Sequence, residues 1–307
     1  MGPADTRCDV SIVLPVFNEA GHLAEEVTRI RRAMDASRYS YEIVVVDDGS
    51  TDGSAEELRA IPGIRLVRFA HNRGSGSSRR YGTMLARGDV VVWSDADMSY
   101  PNDRIPELVD ALEGHDQVVG ARRSEEGTVK LLRRPAKWLI RRLASYLTGV
   151  RIPDLNSGFR AFRREVGAQF LHLLPKGFSC VTTLTMTFLT NGYSVRYVPI
   201  EYAPRRGKSK FHWWADTRRF LLQVVRMTLS YEPLRVFGPA AVVIGLTGVG
   251  KLIYDLIDKE FRVGTNTIVL LGLAGVLMVT GLIADLLVQL NRRSTSVIPA
   301  VASDEST

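Results

Sequence analysis

Cysteine is nearly absent from this chain of 307 residues: Cys8 and Cys180 stand far apart and outside any CxxC pair. That argues against a disulfide framework or a thiolate zinc site, and it fits a reducing compartment. Histidine is scarce too. The five are scattered, and no Ser-His-Asp or Cys-His arrangement suggests itself. The opening stretch MGPADTRCDV has no apolar core, so no cleaved secretory leader is expected. Asn72–Gly76 is glycine-rich, but it lacks the Lys-Ser/Thr ending of a P-loop and the full spacing of a dinucleotide loop. No internal repeat is visible. Acidic residues are in the minority, 33 against 40 basic, for a net charge of +7. The basic excess gathers between Arg122 and Arg235, just ahead of an apolar tail. That placement points to anionic lipid or phosphate rather than nucleic acid.

What is present falls into two parts. From Ser11 to about Pro199, short β-rich runs alternate with helical patterns. Ser11–Val16, Glu42–Val46, Ile64–Phe69, Val90–Trp93, Gln117–Gly120 and Val195–Pro199 read as strands. Leu23, Val27, Ile30 and Met34 recur at helical spacing. The alternation predicts an α/β domain with a mostly parallel central sheet, whose ligands gather at the carboxyl ends of the strands.

After Arg235 the composition changes. Residues 236–254 are apolar except for Lys251, and 267–290 are apolar except for Asp285 and Gln289. At about 1.5 Å per residue each run is long enough to cross a hydrocarbon core of roughly 30 Å. The spacing therefore predicts a membrane hairpin. Arg218, Arg219, Arg226 and Arg235 precede it, and Arg292 and Arg293 follow it. The positive-inside rule puts both ends in the cytoplasm. The segment 211–235 mixes Trp213, Trp214 and Phe220 with arginines and reads as an interfacial amphipathic helix. The expected organisation is a catalytic domain over 1–210, that helix, two spans over 236–290 and a cytoplasmic tail over 291–307. The spans also offer a surface to a second copy of the chain.

Three ordered motifs carry the chemistry: SIVLPVFNE at Ser11–Glu19, VVVDDGSTDGS at Val44–Ser54, and WSDADMSYP at Trp93–Pro101. Asp47 ends a buried strand, where its carboxylate can accept hydrogen bonds from a base or ribose. Asp95 and Asp97 would repel a diphosphate by themselves. With Mg²⁺ or Mn²⁺ between them they would hold it, because hard divalent cations take oxygen from carboxylate and phosphate together. In this order and spacing the motifs resemble the family-2 glycosyltransferases of GT-A fold, and within them the dolichol- and polyprenyl-phosphate hexose synthases. The resemblance runs from about Asp9 to Phe211. It implies that Pro15, Phe17 and Glu19 line the nucleotide pocket, and that Asp95 and Asp97 are the catalytic metal-binding pair. Ser99 stands where the family often has a glutamine ligand.

The same resemblance implies an acceptor side. Arg122, after the strand Gln117–Gly120, takes the place of an arginine on the lipid phosphate, with Arg133 as a second basic residue. Asn156 and Ser157, within DLNSGFR, would line the acceptor wall. Arg205 and Lys210, within PRRGKSKF, match a loop that closes on the donor phosphates, although the same charges suit a membrane surface. An inverting transfer of hexose from UDP-glucose or GDP-mannose to polyprenyl phosphate, at the cytoplasmic face of the inner (plasma) membrane, is the implied activity. A transferase for another lipid, such as diacylglycerol, and a non-catalytic membrane scaffold are the alternatives.

Overall fold

The computed structural model describes residues 7–123, 142, 144–146, 149–177, 179–203, 222, 225, 229, 233–258 and 263–295. Arg133, Arg205 and Lys210 lie outside the described residues, as does nearly all of the expected interfacial helix. The chain separates into two compact units, 1–224 and 225–307.

Unit one is built on a seven-stranded sheet. In chain order its elements are β1 (Val10–Val16), α1 (Leu23–Asp35), β2 (Tyr41–Asp47), α2 (Ser54–Ala60), β3 (Arg65–Arg68), α3 (Ser75–Leu85) and β4 (Val90–Trp93). There follow a short 3₁₀ turn (Asn102–Arg104), α4 (Ile105–Asp110), β5 (Gln117–Arg122), β6 (Arg160–Arg163), α5 (Arg164–Gln169), α6 (Cys180–Thr190) and β7 (Val195–Ile200). The strand order is β3-β2-β1-β4-β6-β5-β7. Every pairing is parallel except those of β6, which runs antiparallel to both β4 and β5. The expected mostly parallel GT-A sheet is therefore the observed one.

Side chains alternate faces along a strand, and here both faces are covered. Val10, Ile12, Leu14 and Val16 of β1 join Ile43 and Val45 of β2 on one side, under Leu23, Val27, Ile30 and Met34 of α1. These four helical residues are the ones whose spacing predicted the helix, and all are buried. Val13, Val44, Val46 and Trp93 point to the other side, with Cys180, Val181, Leu184 and Phe188 of α6. Each such fully buried aliphatic side chain contributes about 1.5–3 kcal/mol relative to exposure. The strand β6 was not foreseen. Its four residues, Arg-Ala-Phe-Arg, carry too little apolar sequence to show a period, and only Ala161 and Phe162 meet the core.

Unit two is an antiparallel helical hairpin of α7 (Leu234–Asp258) and α8 (Thr265–Thr295). Small residues let the helices approach: a side-chain carbon on Gly248 would meet Leu271 at 2.8 Å, and one on Gly281 would meet Phe237 at 2.8 Å. At the turn, Asp255 accepts hydrogen bonds from the Gly264 amide at 2.9 Å and the Thr267 hydroxyl at 2.6 Å, an anion set at the start of α8. Lys251 Nζ lies 3.7 Å from the same carboxylate. Both helices are long and apolar enough to cross a membrane, and only 11% and 17% of their apolar windows are buried. A helix in the core of a soluble protein would be buried far more deeply.

Candidate active site

The carboxyl ends of β1, β2 and β4 are neighbours in the sheet, and the three motifs follow them. The first two motifs interlock. Asn18, held at a positive φ of 52°, donates its amide to Ser50 Oγ at 3.0 Å and accepts from the Thr51 amide at 2.8 Å. The Glu19 amide reaches Ser54 Oγ at 2.9 Å, and the Ala20 amide reaches Asp52 Oδ2 at 3.2 Å. Asp52 also receives the Ser54 amide and hydroxyl, at 3.1 and 2.5 Å. Much of both motifs is therefore spent on fixing two loops against each other.

Asp47 and Asp48 divide the work. Asp48 accepts the amides of Arg73 and Gly74 at 2.7 and 2.8 Å, so one carboxylate braces the loop before α3. Burial pushes its carboxyl above the ordinary range despite these two amides. Asp47 has no exposed surface. Its Oδ1 accepts from the Ser50 amide at 2.9 Å, and Oδ2 lies 3.1 Å from Arg68 Nε. Sequence reasoning presents Asp47 to the crevice; the structure sets half-exposed Arg68 against it. Gly49, between them and Ser50, has φ +74°, and a side-chain carbon there would come within 2.8 Å of the His71 backbone. Pro15 and Phe17 are partly exposed, while Glu19 is buried with its Oε2 3.6 Å from His22 Nε2.

Asp95 and Asp97 follow β4 directly. Asp95 keeps about a third of its side chain exposed and is paired with Arg79, which α3 supplies from a buried face shared with Gly76 and Thr83. Arg79 also lies over the Trp93 ring, 5.8 Å from its centroid, and the Asp95 charge holds its pKa up against burial. Asp97 is almost fully buried. Its Oδ1 accepts from both the amide and the hydroxyl of Ser99, across Met98 at a positive φ of 64°. No group of three or more His, Cys, Asp or Glu side chains suited to a metal occurs among the described residues. The donor set is two carboxylates and a hydroxyl, all hard oxygen. It suits a divalent cation that takes the rest of its shell from phosphate and water.

Behind this turn lies a buried polar network. Asn102 accepts from Ser94 Oγ at 2.5 Å and donates to Glu26 of α1 and, at 3.3 Å, to the Asp95 carbonyl. Burial pushes the Glu26 carboxyl up to about 7, with Arg29 and Asn102 opposing the shift.

On the other flank, Arg122 ends β5. It forms a bidentate pair with Asp154, Nε to Oδ2 at 2.7 Å and Nη2 to Oδ1 at 3.0 Å. Asn156 donates its amide to Asp154 at 3.0 Å and accepts from Thr182 Oγ1 at 3.0 Å. Ser157 is fully buried, and its carbonyl accepts from Arg160. Arg160 is itself fully buried and also holds the Val181 carbonyl at 2.6 Å and Thr185 Oγ1 at 2.9 Å. Burial lowers its pKa to about 10. The segment Asp154–Gly158 is thus pinned to α6. It also meets the aspartates: a carbon added to Gly158 would lie 3.0 Å from Arg79 Nη2 and 3.3 Å from Asp95 Oδ2.

Residues 11–170 match Glycosyl transferase family 2, and residues 232–290 match the GtrB C-terminal hairpin. The chain belongs to glycosyltransferase family 2. Among similar members, an undecaprenyl-phosphate 4-deoxy-4-formamido-L-arabinose transferase of Aeromonas hydrophila is 34% identical over 212 residues, covering 66% of this chain and 62% of that protein. The transferase of the same description from Pseudomonas fluorescens is 34% identical over 268 residues, covering 82% and 73%. The match thus spans less than two thirds of the first relative's length. In fold the chain is also similar to glucosyl-3-phosphoglycerate synthase of Mycobacterium tuberculosis, solved with Mn²⁺, UDP and phosphoglyceric acid. The TM-score is 0.58 at 23% identity, over 72% of this chain and 78% of that one. This member of family 2 therefore carries a GT-A domain and a C-terminal hairpin of two helices long and apolar enough to cross a membrane. Asp48, Arg79, Tyr100 and Arg160 are the site's buried supports that sequence reasoning missed.

Proposed function

We propose that this glycosyltransferase moves a hexose from UDP-glucose or GDP-mannose to a polyprenyl phosphate at the cytoplasmic face of the inner membrane. The observation that carries the reading is the contact of the Asp95–Asp97 turn with the Asp154–Gly158 segment in a chain that ends in a membrane hairpin. The names of the relatives, which specify undecaprenyl phosphate, support the acceptor class.

In this reading Asp95 and Asp97, with Ser99 beside them, hold Mg²⁺ or Mn²⁺. The ion would neutralise the charge that builds on the leaving nucleoside diphosphate. Arg79 keeps the Asp95 carboxylate oriented. Pro15, Phe17, Glu19 and Asp47 form the nucleoside end. A base that reaches Asp47 must first move Arg68, which makes Arg68 part of the nucleotide pocket. Arg205 and Lys210 complete the grip on the donor phosphates. Arg122, Arg133, Asn156 and Ser157 hold the acceptor. Its phosphate monoester is already mostly anionic near neutral pH, so alignment replaces a general base. One acceptor oxygen attacks the anomeric carbon as the bond from that carbon to the diphosphate oxygen breaks, with inversion.

The test is transfer by the full-length protein in detergent. Undecaprenyl phosphate is the acceptor, and the donor panel spans UDP-glucose, GDP-mannose and the nucleotide-linked formamido-arabinose. A lipid-soluble sugar phosphate formed from a hexose donor is the expected product. Product from the arabinose donor alone overturns the hexose assignment. Product with diacylglycerol but not with undecaprenyl phosphate overturns the acceptor assignment.

A further inference from the structure

Tyr100 lies three residues beyond Asp97, in a segment whose backbone belongs to the metal-binding turn. It is 3% exposed. Its carbonyl accepts from Arg29 of α1, the same arginine that pairs with Glu26. Its hydroxyl accepts the Gly158 amide at 2.8 Å. Its ring stacks on Phe159, centroids 5.7 Å apart and planes 15° from parallel, and meets Tyr202 edge-on at 5.1 Å. Tyr202 in turn carries the Arg122 guanidinium, 5.3 Å from its ring centroid. One side chain rooted in the aspartate turn thus bears on Gly158, on Phe159 and, through Tyr202, on Arg122.

Gly158 is the point where the two sides meet. A side-chain carbon there would lie 3.4 Å from Tyr100 Cε2 as well as against Arg79 and Asp95. The backbone at 158 therefore passes close to Arg79, Asp95 and Tyr100, with little space for a side chain between them. A phenylalanine would fill this core space equally well. What the hydroxyl adds is one hydrogen bond, and it goes to the backbone of the acceptor segment.

From this we infer that Tyr100 is a positioning residue that ties the donor turn to the acceptor segment, so that each substrate's binding depends on the other side being in place. The inference rests on the reading of Asp95–Asp97 as the donor side and Asp154–Gly158 as the acceptor side. Coupling between two sites is reciprocal, so the tie should be readable from either end.

Two variants test it in the full-length protein in detergent, with undecaprenyl phosphate and whichever nucleotide sugar the wild type uses. Tyr100→Phe removes only the hydroxyl. Loss of one neutral hydrogen bond predicts an increase of about 2- to 10-fold in KM for undecaprenyl phosphate. KM for the nucleotide sugar in saturating acceptor should rise by a similar factor, while nucleotide-sugar affinity measured by calorimetry without acceptor stays unchanged. Gly158→Ala presses on Arg79 and Asp95 from the acceptor side, and should raise KM for the nucleotide sugar as well as for the acceptor. A Tyr100→Phe protein with both constants unchanged, or with nucleotide-sugar affinity weakened as much without acceptor as with it, overturns the tie and leaves Tyr100 a packing residue. So does a folded Gly158→Ala protein with an unaltered donor constant. No transfer to undecaprenyl phosphate by the wild type would instead sink the reading of the site itself, and this inference with it.

Discussion

Arg122 and Asp154 face each other through two parallel hydrogen bonds, with only 13% and 10% of their side chains exposed. The pair joins the end of β5 to the segment that carries Asn156 and Ser157. The guanidinium fork, which suits a phosphate, is here filled by a carboxylate of this chain. An acceptor phosphate that binds Arg122 must share the fork with Asp154 or displace it.

Removing one partner leaves the other as an uncompensated, largely buried charge. Asp154→Ala and Arg122→Ala should therefore each cost about 3–5 kcal/mol of stability, and the double variant less than their sum. Urea unfolding of the three proteins measures this directly. Additive losses would mean that the two residues do not act as a pair.

The same pair sets an acid limit. Burial alone would raise the Asp154 carboxyl, but the hydrogen bonds and charge of Arg122 outweigh it and hold the group below its ordinary 3.8. A depressed carboxyl contributes stability that is present above its unfolded pKa and lost as pH falls through the folded one. Wild type should thus lose this contribution below about pH 4. Arg122→Met should be less stable at pH 7 and should show a shallower decline in melting temperature from pH 5 to pH 3.

Glu26 runs in the opposite direction. Its carboxyl is raised from 4.5 to about 7 by burial, with Arg29 and Asn102 opposing and Asp97 and Asp103 adding to the shift. The folded protein then binds the extra proton between these values, so stability falls as pH rises across that window. Glu26→Gln should flatten this decline between about pH 4.5 and 7, as read from melting temperature. An unchanged slope would show that Glu26 titrates normally in the folded protein.

The sheet and the hairpin were legible because their signals are periodic and long. Val44–Val46 could hardly be anything but a buried strand, and the spans 236–254 and 267–290 fall inside α7 and α8. That Asp95 and Asp97 follow a strand directly was legible, because the short apolar run Val90–Trp93 ends just before them. The partners of these residues were not. That Asp48 holds the Arg73 and Gly74 amides, or that Arg79 meets Asp95, depends on contacts between residues 16 to 26 positions apart in a folded chain. Neither propensity nor spacing encodes such contacts. Strand β6 was lost for a related reason: four residues that begin and end in arginine take strand geometry by pairing with both β4 and β5.

In the proposed metal site the charged carboxylate of Asp97 and the neutral hydroxyl of Ser99 should contribute unequally. Asp97→Asn keeps the shape of the side chain but removes its charge, and transfer should fall by more than about 100-fold, beyond the 10- to 100-fold typical of a lost outer partner. Ser99→Ala removes only the hydroxyl that Asp97 accepts, and should fall within that lower range. Excess Mn²⁺ should recover part of the Ser99→Ala activity and little of the Asp97→Asn activity. EDTA should silence the wild type reversibly. Full transfer in EDTA would remove the metal from the site.

Orientation rests on charge, and the turn between the helices offers the measurement. Arginines flank the hairpin at 235, 292 and 293, whereas residues 255–266 carry three acidic and two basic side chains. The positive-inside rule then places the turn outside and the catalytic domain with the cytoplasmic nucleotide sugars. Thr265 is exposed at the first position of α8, so a cysteine there is accessible and leaves the Asp255 contacts to Gly264 and Thr267 in place. In intact cells, Thr265→Cys should react with an impermeant maleimide added outside, and Ser303→Cys should react only after lysis. Cys8, which is partly exposed, provides an internal control, since a cytoplasmic catalytic domain keeps it from the reagent until lysis, whereas Cys180 is buried in the core. Labelling of Ser303→Cys but not Thr265→Cys in intact cells would invert the hairpin and put the donor site on the side of the membrane that lacks nucleotide sugars.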